Sequence, residues 1–330
     1  MKFSTWKNGQ RDGRLAVVSR DLTRAAFVDG IAPTLQAALD DWDLLAPRLE
    51  VVYRSLNEGG LDNTFPFEPA HCHAPLPRAY QWADSSAYLN HVELVRRARG
   101  AEMPPEFRID PIIYQGGSDT MLGPTEDIRL AEESWGIDFE AELVVVAADV
   151  PMGAGAATCA RAVRLLMLAN DVSLRNLIPG ELAKGFGFFQ SKPSTAFAPV
   201  AVTPDELGAA WDGSRAALQL RIHRGDTCVG DLQTGSDMHF DFPTIMAHAA
   251  RTRALGAGSI IGAGTVSNRA PEAGYACIAE RRALDTIEQG KPQTPYLQFG
   301  EHVRIEAFDA DGATVFGAIH QVVSRYEEGR

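Results

Sequence analysis

The sequence predicts a β-rich α+β fold. Short apolar segments separated by Gly, Pro and Asp recur along most of the chain, as at residues 15–18 and 143–148, and such segments are typical of strands. Helical spacing of apolar residues is confined to a few segments, the longest of which covers residues 35–56. The chain has 330 residues, of which 45% are hydrophobic and 22% are charged, so it can bury one large core or form two domains.

The first part of the chain predicts a small domain. Residues 1–31 alternate short apolar pieces with Gly and Asp, as short strands and turns do. The long helical segment follows, and Pro47 is expected to kink or break it. Residues 57–80 are rich in Gly, Asn and Pro and predict a linker. We therefore expect a small N-terminal domain of strands and a helix at residues 1–75 and a main domain at residues 76–330.

Composition excludes several classes of function. A net charge of −12 with no basic stripe disfavours nucleic acid as a partner. No stretch approaches the ~18 consecutive apolar residues of a transmembrane helix, and the N-terminus lacks the apolar segment of a signal peptide. We expect a cytoplasmic protein with no membrane partner. The four cysteines form no CxxC pair, so neither a disulfide framework nor a thiolate zinc site is indicated; they are Cys72, Cys159, Cys228 and Cys277.

Two glutamates introduce the valine-rich strand at residues 143–148. Residues two apart on a strand face the same way, so Glu140 and Glu142 should lie side by side. Like charges that close repel each other and resist burial, so the pair must be solvated, share a proton or bind a cation. Carboxylates suit a hard divalent metal such as Mg²⁺ or Ca²⁺. The alternative is two acids on a solvated strand edge.

A second acid and a histidine are spaced for a helix. Asp84 or Ser85 is predicted to cap a helix whose second turn carries His91, and a seven-residue separation is two helical turns. Asp84 and His91 would then face one pocket, although a capping acid and a surface histidine fit the same pattern. Tyr114 follows on a short strand that runs into a glycine turn, as a substrate contact or a core residue.

Three further candidates lie after the paired glutamates. Composition and spacing predict a helix over residues 157–170, and Asp171 follows it directly. An unpaired carboxylate beside buried aliphatics costs several kcal/mol, so Asp171 needs a partner, either a metal shared with the glutamates or Arg175. Lys192 precedes a proline that favours an extended backbone, which would direct its amine into a cleft or leave it in an exposed loop.

The last third of the chain predicts strands and one helix. Strands are expected at residues 197–202 and 218–223 and as a final pair at residues 302–308 and 313–323. Asp241 and Pro243 predict the start of a helix that continues to about residue 253. A further strand at residues 259–261 enters a glycine turn.

Taken in order, these motifs resemble the fumarylacetoacetate hydrolase family from about residue 80 to the end. Each motif alone is a weak signal, but all occur in the family's order. They are Asp84 to His91, Glu140-x-Glu142, the Asn-Asp-x-Ser-x-Arg run of residues 170–175, Lys192, Gly264-Thr265-x-Ser267 and Glu280.

The resemblance implies a fold and a set of roles. The fold would be a mixed β-sandwich or β-roll like the C-terminal domain of fumarylacetoacetase, with a small N-terminal β domain. Residues 76–330 would be its metal-binding catalytic domain, working as a homodimer. The ligands of Mg²⁺ or Ca²⁺, with Mn²⁺ as an alternative, would be Asp84, Glu140, Glu142 and Asp171. The catalytic residues would be His91, Glu280, Lys192 and Arg175, with Tyr114 and Thr265 binding the substrate.

The chain departs from the family pattern at one position. Ile178 stands where the mammalian-type enzyme has a glutamine that serves as an oxyanion donor, which disfavours fumarylacetoacetate itself as substrate unless Gln190 or Asn176 substitutes. The segment after His91 is rich in arginine, and the candidates for binding a substrate carboxylate are Arg96, Arg97 and Arg99.

The function implied is metal-dependent hydrolysis of a C–C bond in a small anionic diketo acid. Fumarylacetoacetate or an acylpyruvate such as fumarylpyruvate, in tyrosine or other aromatic-compound catabolism, is the expected substrate class. The alternative is a decarboxylase, isomerase, hydratase or dehydratase of 2-keto acids on the same fold. A non-catalytic binding protein is disfavoured because His91, Lys192 and Glu280 occur together.

Overall fold

A large mixed sheet organises the molecule, which confirms the β-rich α+β prediction. The computed structural model describes residues 1–327. The strands are β1 (Lys2–Trp6), β2 (Arg14–Val18), β3 (Arg24–Phe27), β4 (Phe65–Pro66), β5 (Trp82–Ser85), β6 (Ile113–Gly116), β7 (Ile128–Leu130), β8 (Ile137–Asp138), β9 (Ala141–Ala147), β10 (Val163–Asn170), β11 (Ser173–Leu174), β12 (Ala196–Phe197), β13 (Ala201–Val202), β14 (Gln219–Arg224), β15 (Thr227–Gln233), β16 (Ile260–Gly262), β17 (His302–Phe308) and β18 (Ile319–Arg325).

Helices are fewer and mostly short. They are α1 (Leu35–Asp40), α2 (Trp42–Asn57), α3 (Leu89–Ala98), α4 (Ala156–Ala162), α5 (Ile178–Leu182), α6 (Phe242–Ala249) and α7 (Ile278–Gln289). Segments of 3₁₀ helix lie at Pro69–His71, Pro105–Arg108, Glu133–Trp135, Pro204–Ala210 and Pro271–Ala273. Within residues 1–327, no helix combines the length and the apolar character needed to cross a membrane.

The strands form one large sheet, one five-stranded sheet and one strand pair. The large sheet runs β4-β3-β2-β1-β13-β10-β9-β16-β5-β6, with β12 added against β10. Its neighbours are antiparallel except β16 and β5, which are parallel. The second sheet runs β15-β14-β17-β18-β7, and β8 pairs with β11. The N-terminal strands join the large sheet through β1 and β13, and β4 extends it from within the predicted linker.

Residues 163–170 form a strand, so the helix predicted over residues 157–170 is wrong beyond Ala162. Both faces of β10 are buried. Leu166 and Leu168 contribute to the core on one face, whereas Leu165 and Met167 pack on the other face, with the N-terminal helices. A strand buried on both sides has a continuous apolar run without period-two alternation, and such a run also fits a buried helix.

The long N-terminal helix is interrupted at Asp41 rather than at Pro47. Thr34 caps α1 by accepting a hydrogen bond from the Ala37 N–H at 3.1 Å. Asp41 leaves the helical conformation (φ −118°, ψ 36°), and a new helix starts at Trp42. Pro47 is the sixth residue of α2, where its ring removes one helical hydrogen bond but does not end the helix.

Two predicted boundaries in the last third of the chain are also wrong. The helix capped by Asp241 ends at Ala249 instead of continuing to about residue 253. The cap itself is confirmed, because the Asp241 side chain accepts a hydrogen bond from the Thr244 N–H at 2.9 Å. The last strand starts at Ile319 rather than at residue 313, and a turn at Asp309–Ala313 precedes it.

Candidate metal centre and active site

Four carboxylates meet at one end of the large sheet. Asp84 lies on β5, Glu142 on β9 with Glu140 directly before that strand, and Asp171 follows β10. One ligand atom from each residue lies within 4.8 Å of the others, and all four residues are buried. The strand register explains the proximity: Ala169 of β10 pairs with Glu142, and the next backbone hydrogen bond joins the Asp171 N–H to the Glu140 carbonyl at 3.0 Å.

All four acids belong to the same face of the sheet. Side chains alternate along a strand, so Glu142 shares a face with Val144, and Asp171 with Met167. Val144, Met167 and Trp82 pack in the cluster that contains the N-terminal helices. The predicted pairing of Glu140 and Glu142 on one face is therefore supported, and these helices cover the face that carries the acids.

Glycine is required at two positions next to Asp84. Gly262 of β16 pairs with Asp84 across the parallel strands, and a Cβ on Gly262 would lie 2.2 Å from the Asp84 Oδ1. Gly264 has a φ of +77°, and its N–H donates to the same oxygen at 3.0 Å. The glycine turn after β16 thereby fixes the orientation of the Asp84 carboxyl.

Two cations neutralise part of this acidic cluster. The Lys192 ammonium donates to Glu140 at 2.9 Å and to Asp171 at 2.6 Å, and its side chain is buried rather than in an exposed loop. Arg175 donates to Glu140 and, at 2.8 Å, to Asp138. Arg175 as the partner of Asp171 is therefore wrong: Asp171 is held by Lys192, by the Tyr114 hydroxyl and by the Thr195 hydroxyl.

The cluster shifts the ionisation of its members in opposite directions. Burial raises the pKa of Asp84 to about 8, and the charge of Asp171 adds to that shift. Burial, followed by the charge of Asp84, holds the pKa of Glu142 well above its usual range. Burial also acts to raise the pKa of Glu140, but the charges of Lys192 and Arg175 outweigh it, so that pKa is lowered. The four carboxyls outnumber the two cations, and Asp84 and Glu142 therefore hold their protons more tightly than ordinary carboxyls do.

The residues present fit a hard divalent cation. Both carboxylate oxygens of Glu142 are buried without a hydrogen-bond partner, an arrangement that costs free energy unless another group compensates it. Four carboxyl groups converge, and oxygen donors of this kind are the ligands that Mg²⁺, Ca²⁺ and Mn²⁺ prefer. Asp84, Glu140, Glu142 and Asp171 can thus hold such an ion.

A histidine and a glutamate face each other beside the acids. His91 lies in the first turn of α3, and Glu280 lies in the first turn of α7. The His91 Nδ1 is 3.8 Å from the Glu280 Oε2, close enough for an ion pair but too long for a hydrogen bond. A chain of hydrogen bonds ties the two helices together, from the Asn90 amide to the Ser267 hydroxyl (2.8 Å) and from that hydroxyl to Glu280 (2.6 Å).

The predicted helical spacing of Asp84 and His91 is wrong, although both residues line the same cavity. Asp84 and Ser85 lie on β5, and α3 begins only at Leu89 without a side-chain cap. The six residues between Asp84 and His91 therefore contain a strand end, a loop and the start of a helix. Asp84 is positioned by the sheet, whereas His91 is positioned by the packing of α3 against α7.

A cavity of about 270 Å³ brings the candidate residues together. Its polar wall includes Asp84, Glu140, His91, Lys192, Arg175 and Thr265. Tyr114 also lines it, and its hydroxyl donates to Asp171. The volume suits a small metabolite, because pockets for drug-sized ligands start at about 300 Å³.

Ile178 lines the same cavity, with Arg96 and Arg99 at its rim. Arg96 is engaged by the Glu102 carbonyl, to which its Nε donates at 2.8 Å. Asn176 does not take the place of the missing glutamine, because its amide donates to the Ser134 carbonyl at 2.8 Å. Gln190 lies in an exposed segment whose backbone N–H donates to Glu181. Arg99 is thus the arginine best placed to meet a substrate carboxylate.

Sequence reasoning missed several residues of the site. Asp138 is fully buried and accepts hydrogen bonds from the Ile278 and Ala279 N–H groups at 2.7 and 2.9 Å, which caps α7 at the end that carries Glu280. Cys277 lies 3.9 Å from the His91 Nδ1. The alternation of Asp138 with Glu140 and Glu142 is the one local signal for Asp138; Cys277 has none.

Two family models together match nearly the whole chain. The model described as fumarylacetoacetate (FAA) hydrolase C-terminal matches residues 81–324, and the model described as fumarylacetoacetase N-terminal domain 2 matches residues 1–78. No curated protein matches the sequence.

Solved structures share the fold at low sequence identity. A maleylpyruvate hydrolase from Sphingobium sp. SYK-6, solved with manganese(II) and pyruvate, is 16% identical with a TM-score of 0.66, over 99% of this chain and 100% of that one. A 2-hydroxyhepta-2,4-diene-1,7-dioate isomerase from Mycobacterium marinum is 17% identical with a TM-score of 0.60, over 100% of both chains. A 5-carboxymethyl-2-hydroxymuconate delta-isomerase from Mycobacterium smegmatis is 16% identical with a TM-score of 0.60, over 99% of this chain and 100% of that one.

These identities establish the fold and leave the reaction open, since hydrolases and isomerases share it. The match of the C-terminal family model covers well over half of the sequence and includes every candidate site residue. The chain belongs to the fumarylacetoacetate hydrolase family.

Proposed function

We propose that the protein is a metal-dependent hydrolase that cleaves a C–C bond of a small diketo acid. The substrate class is fumarylacetoacetate or an acylpyruvate such as fumarylpyruvate, from the breakdown of tyrosine or other aromatic compounds. The observation that carries this proposal is the His91–Glu280 pair beside the acidic cluster, because His91 lines the same cavity as Asp84 and Glu140. A proton acceptor next to a cation site suits the activation of water.

Mg²⁺ or Ca²⁺ is the proposed cation, with Mn²⁺ as the alternative, held by Asp84, Glu140, Glu142 and Asp171. The Sphingobium hydrolase that shares the fold was solved with manganese(II), which supports a divalent ion as the cofactor. When bound, such an ion would polarise the oxygens of a 1,3-diketone and stabilise the enolate that cleavage produces. The protein's share is to hold the four carboxyls in place on, or directly beside, β5, β9 and β10 of the large sheet.

His91 and Glu280 handle the proton. His91 would take a proton from water so that the oxygen adds to the substrate carbonyl, and the Glu280 carboxylate at 3.8 Å would stabilise the resulting imidazolium. The C–C bond then breaks, one fragment leaves as a carboxylic acid and the other as an enolate that takes up a proton. The short contacts from Ser267 and Asn90 keep Glu280 oriented through these steps.

Lys192 and Arg175 supply the remaining positive charge. Both line the cavity, and the charges of Asp171 and Glu140 raise the pKa of Lys192 against the opposing effect of burial, so the ammonium stays protonated. A fixed charge of this kind stabilises a developing oxyanion without reorganisation of solvent. Tyr114 and Thr265 line the same wall and are proposed to contact the substrate.

The second candidate function is isomerisation of an unsaturated 2-keto acid. Two of the structures that share the fold are isomerases of such acids. His91 and Glu280 lie 3.8 Å apart, and such a pair could also move protons on the substrate without activating water. Decarboxylation, hydration or dehydration of a 2-keto acid would use the same carboxylates.

A substrate panel tests the proposal. Metal-stripped protein is given fumarylacetoacetate, fumarylpyruvate, acetylpyruvate or oxaloacetate, each with and without Mg²⁺, and the ultraviolet absorbance and products are followed. For at least one of the first three substrates, we expect the diketo absorbance to disappear and two separate cleavage products to form. Both changes should require metal. Conversion to an isomer of unchanged mass, or release of CO₂ from oxaloacetate alone, would favour the alternatives.

A further inference from the structure

The proposed catalytic pair belongs to a second cluster of side chains that could ligate a metal ion. His91, Cys277 and Glu280 each place one ligand atom within 4.8 Å of the other two. The His91 Nδ1 is 3.9 Å from the Cys277 Sγ and 3.8 Å from the Glu280 Oε2. Cys277 directly precedes α7 and Glu280 lies in its first turn, so both residues are at the same end of this helix, which packs against α3.

Glu280 has one oxygen that the protein leaves unpartnered. Its Oε1 accepts the Ser267 hydroxyl at 2.6 Å, but its Oε2 is buried and has no hydrogen-bond partner among the described residues. Glu280 is 2% exposed, so water does not compensate freely. The orphaned oxygen is the one that faces the His91 Nδ1, which places it inside the cluster.

Two of the three separations are close to those of a tetrahedral zinc site, and the third, between Cys277 and Glu280, is within 4.8 Å. Zinc bonds of about 2.3 Å to sulfur and about 2.0–2.2 Å to nitrogen or oxygen imply separations of about 3.4–3.6 Å between neighbouring ligand atoms. The observed 3.9 and 3.8 Å exceed these values by a few tenths of an ångström. Small rotations of the His91 and Glu280 side chains would close that gap.

We propose that His91, Cys277 and Glu280 form a second metal site that binds Zn²⁺ and blocks the catalytic pair. The binding of zinc stands on the geometry alone, whereas the inhibition rests on the proposed hydrolase function. On binding, Zn²⁺ takes a lone pair from the His91 Nδ1 and replaces the proton of the Cys277 thiol, which leaves to solvent. Glu280 then ligates zinc and no longer faces a free imidazole. His91 therefore loses the carboxylate that would stabilise its protonated form and can no longer act as the base.

The donor chemistry separates the two sites. The carboxylate cluster offers oxygen only and suits hard cations, whereas nitrogen, sulfur and oxygen together favour zinc over Mg²⁺. The thiolate and the carboxylate also neutralise the two charges of Zn²⁺, which lowers the cost of burying the ion. His91 lines the cavity, so a fourth position for water or a substrate oxygen lies on that side.

Cobalt(II) provides a test that does not depend on activity. Metal-stripped protein is saturated with Mg²⁺ and titrated with Co²⁺ and, separately, with Zn²⁺ against a chromophoric chelator. We expect one equivalent of Co²⁺ to give a thiolate-to-cobalt charge-transfer band that zinc abolishes. A wild-type protein without this band, or with a band that zinc leaves unchanged, overturns the zinc site.

Two cysteine variants make the test specific. Cys277→Ser should lose the cobalt band and bind zinc about 100-fold more weakly or worse. Cys228→Ser is the matched control, because Cys228 is an exposed residue of β15, and it should behave as wild type. Equal zinc affinity in Cys277→Ser and wild type contradicts the proposal. If Cys277→Ser does not fold, Cys277→Ala replaces it, and the wild-type spectrum still decides.

The inhibition is measured on the Mg²⁺-loaded enzyme, with each variant compared with its own zinc-free rate. We expect one equivalent of zinc to stop wild-type hydrolysis while Cys277→Ser tolerates about 100-fold more. If the cobalt band appears but zinc does not slow hydrolysis, the proposed inhibition is wrong. If no diketo acid is cleaved at all, the proposed function fails, and the cobalt spectrum still supports or overturns the zinc site.

Discussion

Replacing Asp84 by Asn should stabilise the protein in the absence of metal and weaken its response to metal. Asp84 is 4% exposed, and burial with the charge of Asp171 raises its pKa from 3.8 to about 8. Asn has the same shape as a protonated Asp, and its carbonyl oxygen can still accept the Gly264 N–H. The substitution therefore removes a charge that the metal-free fold tolerates poorly and keeps the local hydrogen bond.

The expected gain follows from proton linkage. Between pH 3.8 and about 8 the folded, metal-free protein keeps a proton on Asp84 that the unfolded chain has lost, so stability falls as pH rises through this window. The cost is about 1.4 kcal/mol per pH unit, or about 4 kcal/mol at pH 7. For a chain of this length 1 kcal/mol corresponds to about 1.5 °C, so Asp84→Asn should raise the melting temperature by about 6 °C.

Metal should narrow the difference in stability between the two proteins. A cation at 100 times its dissociation constant stabilises the wild type by about 2.7 kcal/mol, or about 4 °C. Asp84→Asn has lost one of the four carboxylates and should shift much less at the same concentration.

Calorimetry with EDTA or with Mg²⁺ or Mn²⁺, at pH 5, 7 and 8, measures both effects. Without metal, the advantage of Asp84→Asn should grow from pH 5 to pH 8. A variant that melts below wild type in EDTA at pH 8, or that gains as much from metal as wild type does, would refute the reasoning.

Three other substitutions test separate parts of the site. His91→Ala should lower kcat by about 10²- to 10⁴-fold and leave the binding of Mg²⁺ or Mn²⁺ by calorimetric titration unchanged; full activity would remove His91 from catalysis. Arg99→Ala should raise KM by about 10- to 100-fold for fumarylpyruvate but not for acetylpyruvate, which lacks the second carboxylate; an equal change for both would contradict that contact. Asp138→Ala removes one of the two carboxylate partners of Arg175 and the acceptor of the Ile278 and Ala279 N–H groups at the start of α7. The free energy of unfolding from denaturant titration should therefore fall by about 3–5 kcal/mol, and it should fall less for Asp138→Asn.

Local patterns of the sequence were sufficient for part of the site. Glu140 and Glu142 precede a valine run, and period-two alternation places them on one face whatever the rest of the fold is. Asp241 precedes Phe242-Pro243, and this capping pattern holds in the structure. Such features depend only on neighbours in the sequence, so they can be read directly.

Other parts depend on contacts that no local pattern encodes. The helix predicted over residues 157–170 is a strand from Val163 onward, and a strand buried on both faces shows no alternation. The predicted helix cap at Asp84 or Ser85 is wrong because the position of Asp84 is set by pairing with β16, which lies far along the chain. Asp138 and Cys277 act through α7, more than a hundred residues after Asp138. The order of the family motifs assigns Asp84 to the metal site, whereas no local pattern does.

Add-back of metal to the stripped enzyme tests the central claim most directly. Fumarylpyruvate is incubated with metal-free protein, with and without one equivalent of Mn²⁺ or excess Mg²⁺, and the products are separated and quantified. The four-carboxylate site with its His91–Glu280 pair predicts equal amounts of fumarate and pyruvate with metal and none with EDTA. Turnover that is the same without metal, or a product that retains all the carbon atoms of the substrate, would contradict the account.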